Sequence, residues 1–216
     1  MLAFLGGTGP EGKGLALRLA LAGEEVIIGS RDAQRARDAA DELAHLASST
    51  RIQGAENAGA AARADTVFLT VPYEGQRSLL EPLREHLKGK VVVDVIAPMK
   101  FERGRGASAV GVSAGSAAQE AQELLPDSLL VSAFQNVSAE ELQDPEVSME
   151  GDVLVCSDHR QAKELVMGLV RKIPHLRPVD AGALANSRYV EQITPLLVNI
   201  NRIYQIHAGV QIVGIK

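Results

Sequence analysis

The residues best placed to do chemistry are three glycines near the start of the chain. A short apolar run, Leu2-Ala3-Phe4-Leu5, leads into Gly6-Gly7-Thr8-Gly9-Pro10-Glu11-Gly12, and an amphipathic stretch follows from Lys13 to Ala22. Gly7-x-Gly9-x-x-Gly12 has the spacing of a dinucleotide-binding turn, directly after a strand and opening a helix. Gly7 permits the tight turn, Gly9 lets the backbone approach a pyrophosphate with no Cβ in the way, and Gly12 lets the helix pack close on the strand. Free N–H groups of the helix's first turn then face the phosphate charge. The competing reading is a glycine-rich turn in some other α/β domain.

The end of the next strand refines the ligand. Glu25-Val26-Ile27-Ile28 runs into Gly29-Ser30-Arg31. A site for NAD usually places Asp or Glu about twenty residues past the glycines, on the ribose 2′-OH. Here that place holds Ser30 and Arg31, with Arg35 one turn into the following helix. A hydroxyl and two guanidiniums suit a 2′-phosphate, because arginine forks match phosphate oxygens. NADP is therefore the expected ligand. Asp32, the nearest acid, reads as the N-terminal cap of that helix. The bland alternative makes Arg31 and Arg35 solvated surface charges.

What is missing matters as much. No H-E-x-x-H, C-x-x-C or G-x-S-x-G occurs, and His45, His86, His159, His175 and His207 are scattered. No metal-ligand spacing is present, so metal chemistry has no support. Cys156, the single cysteine, lies in the apolar run Asp152-Val-Leu-Val-Cys156 and reads as core. Reduction of an alcohol or imine needs a positioned acid or base for the accompanying proton. Hydride transfer between two redox cofactors needs only alignment and exclusion of water from the protein. The expectation is thus of cofactor binding with no catalytic side chain.

In an open parallel sheet the ligand lies beyond the carboxyl ends of the strands. Val71, Pro72 and Ile96 then form an apolar floor under a nicotinamide, and Gln135 and Asn136 offer neutral hydrogen bonds to a second ring. The alternative for that neutral pair is a simple turn. Arg103 and Arg105 sit in a glycine-rich loop and either meet an anion or are merely solvated.

The elements that must position these residues follow a βαβ rhythm. Asp32 to Ala47 is an alanine-rich helix, and Arg51-Ile52-Gln53 a short strand. Thr66 to Val71 and Val91 to Ile96 are continuous apolar runs, as strands buried on both faces would be. Gly75 to Leu87 has helical spacing. Lys100 to Ser116 reads as a long loop with room for a short strand, leading into a helix from about Ser116 to Leu125. Ser128 to Ala133 is another strand, and Ser138 with Glu141 resembles a capping box. The fold class is therefore α/β, a Rossmann-type doubly wound, mostly parallel sheet with a small C-terminal α/β unit.

Residues 1–145 form the NADP-binding domain in this reading, and residues 146–216 a small domain closing the cofactor cleft. The smaller unit reads as strand (Val153 to Cys156), helix (Arg160 to Arg171), strand (Leu176 to Asp180) and a long helix from Asn186 to about Gln205. Val190, Ile193, Leu196, Leu197, Ile200 and Ile203 make an apolar face on that helix. A kink or break is expected at Pro195, and Val210 to Ile215 could add a strand.

The chain has 216 residues, 46% hydrophobic and 23% charged, with net charge −5. That balance, the lack of a basic run and an aromatic content of 3% argue against nucleic-acid partners. No apolar run reaches the ~18 residues of a membrane span and no signal peptide precedes the first strand, so the expectation is a cytoplasmic protein. The apolar last helix suggests a homodimer, unless that face is used in the chain's own core.

Several stretches together resemble the NADPH:F-420 oxidoreductase family, which passes hydride between NADP and a deazaflavin coenzyme. They are Gly6-Gly7-Thr8-Gly9, Lys13 to Ala20, Ile28-Gly29-Ser30-Arg31, Leu176 to Gly182, and Asn186-Ser187-Arg188 with Glu191 and Thr194-Pro195-Leu196. The resemblance spans nearly the whole chain. It implies NADP across the strand ends and the deazaflavin stacked on the nicotinamide in the interdomain cleft. Carried over by position, Thr8, Gly9, Pro10 and Glu11 would hold pyrophosphate, and Ser30, Arg31 and Arg35 the 2′-phosphate. The segment of Ala133, Gln135, Asn136 and Val137 would border the deazaflavin. Family members often place histidine there; either amide can still hydrogen-bond a deazaflavin carbonyl, but neither can become charged. The implied activity is reversible hydride transfer between NADPH and F-420. Two other readings stand beside it: an NADPH-dependent flavin or metal-chelate reductase, and a non-catalytic NADP sensor.

Overall fold

Strand-forming apolar runs and capped helices alternate through the first two-thirds of the chain. The structure, a computed structural model, describes residues 1–48 and 51–215. Strand β1 (Leu2–Leu5) is wholly buried, and helix α1 (Pro10–Leu21) begins with proline, whose missing N–H costs nothing in a first turn. Strand β2 (Val26–Ser30) leads to α2 (Ala33–Leu46), whose start is capped by the Asp32 carboxylate accepting from Gln34 N at 2.8 Å. Then come β3 (Ile52–Glu56), α3 (Asn57–Arg63), β4 (Thr66–Leu69), α4 (Tyr73–Leu80), α5 (Arg84–Leu87) and β5 (Val91–Asp94). A hairpin of β6 (Met99–Glu102) and β7 (Gly106–Ala109) precedes α6 (Ala117–Leu124), β8 (Leu129–Ser132) and α7 (Ala139–Gln143). The chain ends with β9 (Gly151–Val155), α8 (Arg160–Val170), β10 (Leu176–Asp180) and α9 (Ser187–Tyr204).

Six strands pair in the order β3-β2-β1-β4-β5-β8, all parallel. This is the Rossmann-type doubly wound arrangement expected from the sequence. The order reverses between β1 and β4, which opens a crevice at their carboxyl ends. Alternation along β1 sends Leu2 and Phe4 to one face, packed with α1, α2 and α8, and Ala3 and Leu5 to the other, packed with α3, α4 and α6. Phe4 stacks on Phe68 of β4 with centroids 4.6 Å apart, directly under the glycine turn.

Strands β9 and β10 pair in parallel as a separate two-stranded sheet. Val153, Val155, Val166 and Val170 share one apolar cluster with Phe4, Leu15 and Phe68. A lone antiparallel bridge, Ser132 to Cys156, also ties this sheet to β8.

Four local expectations need correction. The loop from Lys100 to Ser116 contains a two-stranded hairpin, closed by Gly104 at φ +80°. The helix from Gly75 starts earlier, at Tyr73, and is split by a 3-10 turn at Glu81–Leu83, where Pro82 cannot continue the α-helical ladder. Of the kink or break expected at Pro195, the break does not occur: α9 continues through it, with Thr194 and Asn136 bonded side chain to side chain at that turn. The tail from Val210 to Ile215 adds no strand. Instead Asp152 anchors it, with Asp152 N donating to Val210 O and Ile212 N donating to the Asp152 carboxylate.

Candidate functional site: a cleft at the strand ends

A cleft of about 990 Å³ opens at the carboxyl ends of β1, β4 and β5. Of the expected site residues, Gly9, Pro10, Glu11, Val71, Pro72, Ile96, Gln135, Asn136 and Val137 line it together. Gly7, Thr8, Gly12 and Ala133 do not reach its wall. Ser30, Arg31 and Arg35 lie outside it, at the end of β2 and the start of α2.

The glycine turn works by close packing at two positions and open space at a third. A Cβ on Gly7 would sit 2.6 Å from the Phe4 carbonyl oxygen, and one on Gly12 would sit 2.5 Å from Gly7 Cα and 2.8 Å from Thr70 Oγ1. Nothing approaches within 4 Å of a Cβ on Gly9, so the backbone there is bare toward the cleft. One detail differs from expectation: Gly6, at φ +70°, supplies the left-handed turn residue, not Gly7. Its N–H donates to Asn57 Oδ1 at 3.2 Å. Thr70 Oγ1 donates to the Leu5 carbonyl at 2.9 Å, fastening the ends of β1 and β4 side by side.

Beyond β2, Ser30 is buried and its Oγ accepts from Asp32 N at 3.2 Å. Arg31 and Arg35 are exposed and make no hydrogen bond or ion pair among the described residues. By contrast, Arg37 on the same helix donates to Gln34.

The segment after β8 is built differently from expectation. Phe134 takes a left-handed φ of +74°, a conformation that costs a non-glycine residue about 1–2 kcal/mol. Its buried ring, 6.1 Å from Phe68, holds it there. The turn brings Gln135 and Asn136 onto the cleft wall with their NH₂ groups already engaged. Gln135 Nε2 donates to the Asp94 carbonyl at 2.8 Å and to Ser132 Oγ at 2.9 Å. Asn136 Nδ2 donates to Val190 O and Thr194 Oγ1, both at 3.1 Å. What remains is Gln135 Oε1 and Asn136 Oδ1, buried and without partners. These amides therefore offer acceptors, suited to a ring N–H, where donation to a ring carbonyl was expected.

Several residues of the site were not legible locally. Asn201, Gln205, Ile206, His207 and Ala208 close the cleft rim from the end of α9, and His207 Nδ1 lies 3.1 Å from Ser138 Oγ. Arg18 of α1 donates from Nε to the Leu142 carbonyl at 3.1 Å and from Nη2 to those of Glu141, Asp144 and Val147, fixing α7 against the glycine helix. Beneath the floor, Asp94 is fully buried, with Oδ1 accepting from Ile96 N at 2.8 Å and Oδ2 unpartnered. Glu191 of α9 accepts from Ala117 N at 2.8 Å and Ala118 N at 3.2 Å, the first turn of α6. Burial holds both acids well above the usual carboxylate range, and the charge of Asp94 raises Glu191 further. Tyr73 donates to Glu120 Oε2 at 2.7 Å, and burial with that bond pushes its hydroxyl up to about 12. Apart from the Asp94–Ile96 bond, these contacts join elements far apart in the chain, so no local pattern shows them.

Residues 1–98 match the family model described as NADP oxidoreductase, coenzyme F-420-dependent. The chain is 44% identical to the F420-dependent NADP reductase of Methanothermobacter marburgensis, over 99% of this chain and 98% of that protein. The chain belongs to this family. Within the F-420-dependent NADP reductase family, the protein of that name from Methanocaldococcus jannaschii is 40% identical over 94% of this chain and 93% of its own. A crystal structure from Arthrobacter sp. FB24, described as a candidate F420-dependent NADP-reductase, superposes with a TM-score of 0.83 at 26% identity, covering 98% of both chains. The likeness to these family members runs through α9 and the tail, so it includes the elements that wall the far side of the cleft.

Proposed function

We propose that this protein is an oxidoreductase that transfers hydride reversibly between NADP(H) and the deazaflavin coenzyme F-420. The observation that carries it is the near full-length identity to F420-dependent NADP reductases, together with a cleft whose bare edge is Gly9 at the start of α1. Bound NADPH supplies the hydride and the deazaflavin accepts it; the chain's part is to bind, orient and exclude water. In this reading the first-turn N–H groups at Gly9 to Gly12 hold the pyrophosphate. Ser30, Arg31 and Arg35 hold the 2′-phosphate; the absence of other partners for Arg31 and Arg35 among the described residues supports the assignment. Val71, Pro72 and Ile96 form the nicotinamide floor. Gln135 Oε1 and Asn136 Oδ1 accept from the deazaflavin's N–H, which would relieve their unpartnered burial.

The division into a dinucleotide-binding unit, 1–145, and a closing unit, 146–216, belongs to the same proposal. So does pairing of two copies in the cytoplasm through the outer side of α9, where Tyr189, Leu196 and Ile203 are exposed. No helix among the described residues is long and apolar enough to cross a membrane.

Steady-state NADPH oxidation with purified F-420, with FMN and FAD run beside it, tests the activity. The proposal expects turnover with the deazaflavin alone. Turnover only with the flavins would replace it by the flavin-reductase reading. Tight NADPH binding with no acceptor reduced would leave a sensor.

A further inference from the structure

The cleft is acidic for a site that takes a polyanion. None of its lining residues is lysine or arginine, while three are glutamates: Glu11, Glu74 and Glu140. Glu74 and Glu140 are exposed, so water screens them. Glu11 differs. It is the second residue of α1, beside the bare Gly9, and its Oε1 is shut away from solvent with no hydrogen-bond partner. Lys13, two residues further along α1, is engaged 2.5 Å from Glu42 Oε2. The other ionisable groups on the cleft wall are Tyr73, Glu74, Glu140 and His207, and none of them hydrogen-bonds Glu11.

A carboxylate so placed has one oxygen cut off from water, has no cationic partner beyond the helix's own N-terminus, and is adjacent to where two phosphate charges must sit. Adding a proton removes the repulsion and turns the side chain into a donor. We propose that Glu11 is a neutral carboxylic acid in the dinucleotide complex, so that binding NADP(H) takes up one proton at this side chain, whose O–H then donates to the ligand. This rests on the dinucleotide reading of the cleft given above. Burial already pushes the Glu11 carboxyl up to about 8 in the free protein. The incoming phosphates raise it further. Below that value the acid is neutral before and after binding, and no proton moves. Above it the free protein is ionised and the complex is not, so affinity falls as pH rises.

Calorimetric titration with NADPH, in two buffers of different protonation enthalpy, counts the protons. Uptake should be near zero at about pH 6.5 and approach one at about pH 9, with affinity falling about tenfold per pH unit over the upper range. Glu11→Gln should bind without uptake at either pH and lose that slope. NADH should show the same uptake as NADPH, which keeps the 2′-phosphate's own titration, near pH ~6, out of the result. No uptake by the unaltered protein at about pH 9, or equal uptake by Glu11→Gln, would overturn the proposal. If Glu11→Gln does not fold, the proton count on the unaltered protein decides alone. Failure to bind NADPH even at about pH 6.5 would instead overturn the dinucleotide reading, and this inference with it.

Discussion

At the scale of single residues, the proposed preference for NADP rests on two arginines that have no partners among the described residues. Arg31 and Arg35 stand exposed at the end of β2, while Ser30 is buried beside them with its hydroxyl turned to Asp32 N. An ionised donor to a phosphate contributes about 1.5–3 kcal/mol. Arg31→Ala should therefore weaken NADPH binding about 10- to 100-fold. NADH, without the 2′-phosphate, should be nearly unaffected. Fluorescence titration of both nucleotides checks this, and equal losses would reject the assignment. The motif is what suggests this proposed site, because its residues lie within thirty positions of the glycines. Gln135 and Asn136 were legible as neutral polar groups but not in their direction. Which end of each amide is free depends on Asp94, Ser132, Val190 and Thr194, which no local pattern brings together.

At the scale of elements, the glycine turn joins β1 to α1 with almost no slack. Two substitutions separate packing from ligand approach. Gly9→Val meets open space, so the fold should survive while NADPH binding is lost. Gly12→Ala puts a methyl against Gly7 Cα and Thr70, neither of which can move away cheaply. It should cost about 1–3 kcal/mol of stability, seen as a Tm drop of roughly 2–4 °C per kcal/mol. If thermal melts show both variants equally destabilised, the distinction fails. Arg18 is the other device at this scale. It sits in the last turn of α1 in an apolar segment and gives no hint in the sequence that it caps four carbonyls around α7. Arg18→Ala leaves those acceptors unanswered and should destabilise the protein by about 3 kcal/mol. The helix and strand sequence was readable from periodicity and caps. The hairpin after β5 was not, since Met99 to Ala109 alternates weakly among glycines, and tertiary contact with α9, such as Ala107 N to Asn199 Oδ1 at 2.8 Å, holds it.

For the whole molecule, α9 lines the far side of the cleft and is held by buried polar groups to the start of α6 and to the turn after β8. Asp94 below the floor and Glu191 on α9 are both held above their ordinary range by burial. Such groups stabilise the fold relative to the unfolded chain at low pH. That contribution erodes as pH rises from the unfolded carboxylate range toward the raised folded values. Asp94→Asn keeps an acceptor for Ile96 N but cannot ionise. Its Tm relative to the unaltered protein should climb from about pH 4 to about pH 7 and level off above, and parallel curves would contradict the argument. The six-strand order was legible because strands and helices alternate. The closing of the cleft by residues 201–208 was not, because it depends on the left-handed turn at Gln205, φ +54°, and on Asp152 holding the tail.

The most direct measurement follows the hydride itself. NADPH carrying deuterium on one face of the nicotinamide, then on the other, would be oxidised with F-420 in ordinary water, and the products read by mass spectrometry. Direct transfer in this cleft predicts deuterium on the reduced deazaflavin from one face only, with none lost to solvent. Label released to water, or kept on NADP from both faces, would contradict the account.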